Sequence, residues 1–274
     1  MSIVAISMQI GSYGDEIAAL VAKKCNFQFV DQGQVHQLAQ DCDSEFSKAC
    51  TLYETEAKPS FFETFFFNNA AYTALFESLN YELASRGNVV IIGRGAQIVL
   101  RDTPGVFKAR IVAPKELRIK RVMEMKKVSM EEAASYVEKY DHERQALIRS
   151  IFDKDLRDVR LYDVILNTTS YKPEGAAEVL CFAIDKHEKR QEPETLKEEL
   201  KNKAFAKRVE SFVKKKVWTS SYRNIEATTT GAGEVTLSGF VPDKKTKEHA
   251  GEIAATVSGV RKVVNQLRTT ELSF

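Results

Sequence analysis

Four consecutive β-branched residues, Val89-Val90-Ile91-Ile92, run straight into Gly93 with no polar residue among them. A strand with one wet face alternates; an unbroken apolar run marks a strand covered on both faces. Apolar, β-rich runs recur at Ile3–Ser7, Phe27–Val30, Val106–Val112 and Asp163–Leu166, which with Asn88–Ile92 makes five. Helical patterns lie between them, including Asp15–Lys24, a helix with Pro114 in its first turn, and one opened by the capping box Ser129-Met130-Glu131-Glu132 and running toward Tyr140. Strands separated by helices specify an α/β fold with a doubly wound, parallel five-stranded sheet, whose ligands sit beyond the strands' carboxyl ends.

At 274 residues the chain can hold one medium domain and one small one. The pattern changes near Glu188. Residues 186–216 are dense in charge and interrupted by Pro193, and beyond Trp218 the composition turns to Thr, Val and Gly. We divide the chain into a domain at 1–190, a charged linker at 191–204 and a second domain at 205–274. Residues 191–274 carry 15 Lys and Arg against 11 Asp and Glu. An excess that small argues against nucleic acid as a partner. No apolar stretch approaches the ~20 residues of a membrane helix. Residues 1–10 have no basic n-region or small-residue cleavage site, so no signal peptide is expected. Cys25, Cys42, Cys50 and Cys181 are scattered without a C-x-x-C pair, and the four histidines are isolated. This reads as reduced thiols in a cytoplasmic protein, with no His/Cys metal site.

The first strand leads into Met8-Gln9-Ile10-Gly11-Ser12-Tyr13-Gly14-Asp15-Glu16 and then a helix. Strand, glycine loop and helix in that order point backbone N–H groups at a phosphate. Two readings stand for the loop: a phosphate site at Gly11, Ser12, Tyr13 and Gly14, or a helix capped by Ser12 with acids in its first turn. The loop lacks the Lys of a Walker-A sequence; Gly14 stands there, followed by Asp15.

Ser7 to Ala18 resembles the phosphate loop of the cytidylate-kinase-like family, whose form is S-R-Q-x-G-S-G-G-R-E-I-A, with Met8 and Asp15 where that form has arginines. Val90 to Ala96 is similar to the family's G-R-G-A motif, Ile111 to Arg121 to its base-covering helix, and Asp141 to Thr168 to its lid and final strand. The resemblance spans about residues 3–185. It implies a P-loop nucleoside-monophosphate-kinase-like fold and phosphoryl transfer from ATP, with Mg²⁺ carried on the nucleotide, to a nucleoside monophosphate. It also implies that Asp31 and Arg94 serve the acceptor and that Arg144 and Arg149 are catalytic. Asp31 has an equal alternative as an exposed turn acid, and Arg94 as a brace for a helix. Arg157 and Arg160 read as solvated. The alternative function is a catalytically weak or inactive nucleotide-binding sensor.

The rear of the chain carries Val235-x-Leu237-x-Gly239 and Gly259-Val260-x-x-Val263-x-Asn265, with a helix from Asp243 presenting Ala250, Ile253, Ala254 and Val257 on one side and Gly259 near its end. Gly231-Ala232-Gly233 supplies a tight turn before it. These segments resemble the BON module, a small α+β domain; for this copy we expect a regulatory or oligomerising role, its ligand unknown. Lys214-Lys215-Lys216 reads as a solvated helix end. Phe61-Phe62-Glu63-Thr64-Phe65-Phe66-Phe67 reads as core packing or as a helical homo-oligomer interface.

Overall fold

The computed structural model describes residues 1–30, 69–187, 192–217 and 225–270. The chain divides into two compact units, Met1–Pro59 with Arg86–Thr195, and Ser60–Ser85 with Leu196–Phe274.

In the first unit, β1 (Ile3–Met8), β2 (Gln28–Val30), β3 (Val89–Ile92), β4 (Val106–Val112) and β5 (Val164–Asn167) form one sheet in the order β2-β3-β1-β4-β5. All pairings are parallel. Every residue of β1 is buried, as an unbroken apolar run requires of a central strand. Ile6 stands opposite Ile92, the last residue of β3, on one side and Ala109 on the other, while β1 and β4 run further, Met8 lying opposite Ile111. Helix α1 (Gly14–Cys25) packs through Ile17, Ala18, Val21 and Ala22 into a core shared with Val4, Ile6, Val90, Ile111 and Leu180.

Three helices frame the carboxyl ends of the strands. The short α3 (Ala96–Val99) follows β3, α4 (Lys115–Lys126) follows β4 with Pro114 as its N-cap, and α5 (Met130–Phe152) comes next. The capping box opening α5 is present in both directions: the Glu132 amide donates to Ser129 Oγ at 3.2 Å, and the Ser129 amide donates to Glu132 Oε2 at 2.9 Å. The helix runs on to Phe152, so the stretch from Asp141 to Phe152 is its second half. After β5, α6 (Pro173–Lys186) buries Ala176, Ala177, Leu180 and Ile184.

The second unit begins with α2 (Asn69–Ser85), which precedes β3 in sequence. It is held to α7 (Pro193–Lys216) by buried bonds that leave no pattern in the sequence. Ser78 Oγ donates to the Ala204 carbonyl at 2.7 Å, and Ser211 Oγ donates to that of Ala71 at 2.9 Å. Buried Glu210 accepts from Lys214 and from the Ala227 amide, and Lys207 bridges it to Glu77. Burial alone would lower the pKa of Lys207; the two carboxylates outweigh it and raise the value. The stretch expected as a linker at 191–204 lies largely within α7.

Strands β6 (Glu226–Gly231), β7 (Glu234–Ser238) and β9 (Lys262–Asn265) make a sheet in that order, antiparallel then parallel. β8 (Phe240–Val241) pairs with β10 (Arg268–Thr269). Gly231, Ala232 and Gly233 all have positive φ in the turn between β6 and β7. A Cβ on Gly233 would stand 2.5 Å from the Gly259 carbonyl, which fixes that residue as glycine. Helix α8 (Lys244–Ala255) buries Ala250, Ile253 and Ala254. It ends sooner than Gly259 suggested, with Thr256 as its C-cap; Gly259 keeps a φ of 93° in the turn that follows.

Candidate functional site

The loop between β1 and α1 lies at the carboxyl end of the sheet, where open α/β folds bind ligands. Its shape is set by two left-handed residues, Gly11 (φ 75°) and Tyr13 (φ 65°). Gly11 is required: a Cβ there would meet the Arg118 carbonyl at 2.7 Å. Gly14 opens α1, and a Cβ there would stand 2.5 Å from Met8 Sδ, so the Met8 side chain fills the space against it. The cap reading of Ser12 does not hold. The N-cap of α1 is Tyr13, with no side-chain cap bond, and Ser12 is fully buried. Its hydroxyl donates inward to the carbonyls of Gln9 (2.6 Å) and Ile111 (3.3 Å), tying the loop to β4.

Two α4 arginines grip this loop. Arg118 is 3% exposed. Its guanidinium makes a bidentate pair with Asp141 of α5 at 3.0 and 2.7 Å, and also donates to the carbonyls of Ala113 and Ile10. Arg121 stacks its guanidinium 3.9 Å from the centre of the Tyr13 ring, within cation–π range. It also donates to the Gly11 carbonyl and to both oxygens of Thr168 at the end of β5. Neither arginine was assigned a role from the sequence. Their i, i+3 spacing on a helix that follows a strand's carboxyl end was the available signal.

The Gly93-Arg94-Gly95 turn places three consecutive residues in left-handed conformation, at φ 72°, 55° and 68°. Arg94 holds this at a cost of about 1–2 kcal/mol. The glycines make room for α5. A Cβ on Gly93 would lie 3.2 Å from a guanidinium nitrogen of Arg144, and one on Gly95 would lie 2.4 Å from the Phe152 ring. Arg94 itself is buried and donates to the Ile92 carbonyl at 3.2 Å. Nearby, buried Arg110 of β4 donates to Ser7 Oγ and to the Tyr162 hydroxyl, each at 3.0 Å.

Arg144 connects these parts. It stands over Gly93, donates to the Tyr140 hydroxyl at 3.2 Å and acts electrostatically on Asp15. Asp15 keeps an exposed edge, yet desolvation in this crowded corner, followed by repulsion from Glu16, pushes its pKa up; Arg144 pulls it the other way.

The structure thus brings Gly11, Ser12, Tyr13, Gly14, Arg94 and Arg144 to one corner of the first unit. It sets Arg149 aside: this side chain is 61% exposed and faces Asp155 at 3.5 Å. Arg157 and Arg160 pair in the same manner with Asp155 and Asp158. Asp31 and the phenylalanine-rich segment at 61–67 lie outside the described residues. A separate cavity of about 500 Å³ opens at the amino end of β4, lined in part by Lys108, Asp163 and His187, the end of the sheet away from the loop. Among the described residues no group of His, Cys, Asp and Glu could hold a metal ion, and no helix is long and apolar enough to cross a membrane.

Five parallel strands in this order, with a glycine loop between the first strand and first helix, define a P-loop-kinase-like α/β fold followed by a small α+β domain. The chain belongs to the cytidylate kinase-like family, whose family model matches residues 3–170, and it carries a C-terminal BON domain matched at residues 202–271. A cytidylate kinase of Pyrococcus horikoshii is 32% identical over 104 residues, 38% of this chain and 53% of that protein. One from Pyrobaculum islandicum is 25% identical over 170 residues, 62% of this chain and 85% of its own length. The chain therefore spans about half the length of the first of these relatives. The crystal structure of an uncharacterized protein from Eubacterium ventriosum superposes with a TM-score of 0.50 at 21% identity, covering 68% of this chain and all of that one, a likeness of fold.

Proposed function

We infer that the chain is a nucleoside monophosphate kinase that transfers a phosphoryl group from ATP to a cytidylate-like acceptor. The observation that carries this is Arg144: α5 delivers its guanidinium to Gly93 and within electrostatic reach of the loop, where the loop's own sequence has lost positive charge. Phosphoryl transfer needs positioning and charge stabilisation rather than covalent chemistry, and arginines supply both through planar, bidentate donors. In this reading the backbone from Gly11 through Ser12 and Tyr13 to Gly14, with the first-turn amides that a helix cannot satisfy itself, cradles the donor phosphates. Arg144 neutralises the transferring group, and Arg149 joins it on closure by exchanging Asp155 for phosphate. Arg94 and Asp31 orient the acceptor.

When bound with the nucleotide, Mg²⁺ would supply charge neutralisation to its phosphates. The carboxylate of Asp15, beside Glu16 at the loop, would be the hard oxygen donor this chain offers such an ion. The BON domain serves as an accessory for assembly or ligand contact, and the phenylalanine-rich segment as a homo-oligomer contact. The division of the chain into 1–190, 191–204 and 205–274 goes with this reading.

A second reading, a nucleotide-binding sensor without turnover, is favoured by the Met8 side chain packed on Gly14 and the desolvated acid at Asp15. Incubating the full chain with ATP, Mg²⁺ and each nucleoside monophosphate in turn, and following ADP release, tests the proposal. Turnover highest with a cytidine nucleotide is expected. Binding without turnover selects the sensor; a folded chain that neither binds nor turns over any nucleotide contradicts both.

A further inference from the structure

Cys25 ends α1 and Cys181 lies on α6, 156 residues later, yet the Cys25 thiol approaches the Cys181 sulfur at 3.2 Å. Both belong to the first unit, and both are partly exposed rather than sealed in the core. The seam around them is fixed on two sides. Val21 and Ala22 of α1 share a core cluster with Ala177 and Leu180 of α6, and Lys24 pairs with Glu178 at 3.0 Å. The two sulfurs are therefore held together by packing, and a disulfide bond of about 2.05 Å needs them to close by only about 1 Å. We propose that Cys25 and Cys181 are a redox-active dithiol whose reversible disulfide staples the end of α1 to α6.

The oxidant is a low-molecular-weight disulfide. A thiolate of the pair attacks one of its sulfurs, forming a mixed disulfide and releasing one small thiol. The second protein thiolate then attacks the protein sulfur of that bond, releasing the other. Two electrons and two protons pass from the protein to the small disulfide, and no other reactant is needed. Burial, then the hydrogen bond with Cys25, pushes the Cys181 thiol up. Capping its neighbour removes that hydrogen bond. The closed loop is long, so the constraint on the unfolded chain is large.

The test is equilibration of the full chain with oxidised glutathione, trapping of remaining thiols with N-ethylmaleimide, and chymotryptic mapping without reductant. Cleavage after Phe27 and Phe29 separates Cys25 from Cys42. A linked Cys25–Cys181 peptide pair, lost on adding dithiothreitol, is expected, together with a melting temperature raised by about 5 °C or more in the oxidised chain. Cys25→Ser removes both the link and the shift. Complete alkylation of both cysteines, stable glutathione adducts without a link, or a link from either residue to Cys42 or Cys50 overturns the proposal.

Discussion

Two groups of arginines lie within about forty residues of one another and are used in opposite ways. Arg118, Arg121 and Arg144, on α4 and α5, reach backbone carbonyls, an aromatic ring and a glycine seat around the loop. Arg149, Arg157 and Arg160 each face an acid close by in sequence, in solvent. The same residue type thus does two jobs. A guanidinium held by several elements at once has paid its conformational entropy before a ligand arrives, whereas one paired with its neighbour's carboxylate has not. The first group builds the corner of the sheet where we place nucleotide chemistry. In the second group only Arg149 is given a role, and that role requires it to change partner.

The largest effect is expected at Arg118. Arg118→Ala leaves Asp141 without its bidentate partner and strips donors from the loop carbonyls. We expect a loss of about 3 kcal/mol in urea unfolding, short of the cost of a fully enclosed pair because Asp141 keeps contact with water. Arg144→Ala comes next, with a different signature: a fall of about 10²-fold in turnover at nearly unchanged melting temperature, since the group is given a role in charge stabilisation. A loss of stability equal to that of Arg118→Ala would make Arg144 a brace like its neighbour.

Asp15 is the acidic counterpart to the arginines at the loop. Its carboxyl is held above the ordinary value of 3.8, so the folded chain keeps that proton to higher pH than the unfolded chain does. The folded state then binds more protons in that window, and stability falls as pH rises from 3.8 through the raised value. Asp15→Asn should abolish that decline. It should also tighten binding of a metal-free nucleotide at neutral pH by roughly 3–10-fold, the worth of one removed like charge near a partly exposed site, in calorimetric titration. Unchanged affinity would place the phosphates away from Asp15. The smallest effect is expected at Arg157→Ala and Arg160→Ala, which should leave urea midpoints and nucleotide affinity at the values of the unsubstituted chain.

Much of the fold was legible because it rests on local signals. Apolar, β-rich runs marked the five strands, and the capping box at Ser129 marked the start of α5. The site was legible in part. Gly93-Arg94-Gly95 marked a place where the backbone is unusual, but not that its glycines seat Arg144 and Phe152, because that depends on where a helix fifty residues later docks. The pairing of Arg118 with Asp141 was hidden for the same reason: 23 residues and a helix-to-helix turn separate them. Ser12 carried the sequence signature of a cap, and the tertiary fold instead turned its hydroxyl onto the carbonyls of Gln9 and Ile111. The attachment of α2 to α7 rests on serine-to-carbonyl bonds and a buried Glu210, which leave no periodic trace.

The claim that the cations around the loop, not those beyond it, form the nucleotide site is tested most directly by one calorimetric series. A non-hydrolysable ATP analogue with Mg²⁺ is titrated into the unsubstituted full chain, Arg144→Ala and Arg157→Ala. Binding to the unsubstituted chain, a loss of about 10-fold or more in Arg144→Ala and no change in Arg157→Ala are expected. Equal affinity in all three, or a loss confined to Arg157→Ala, would contradict it.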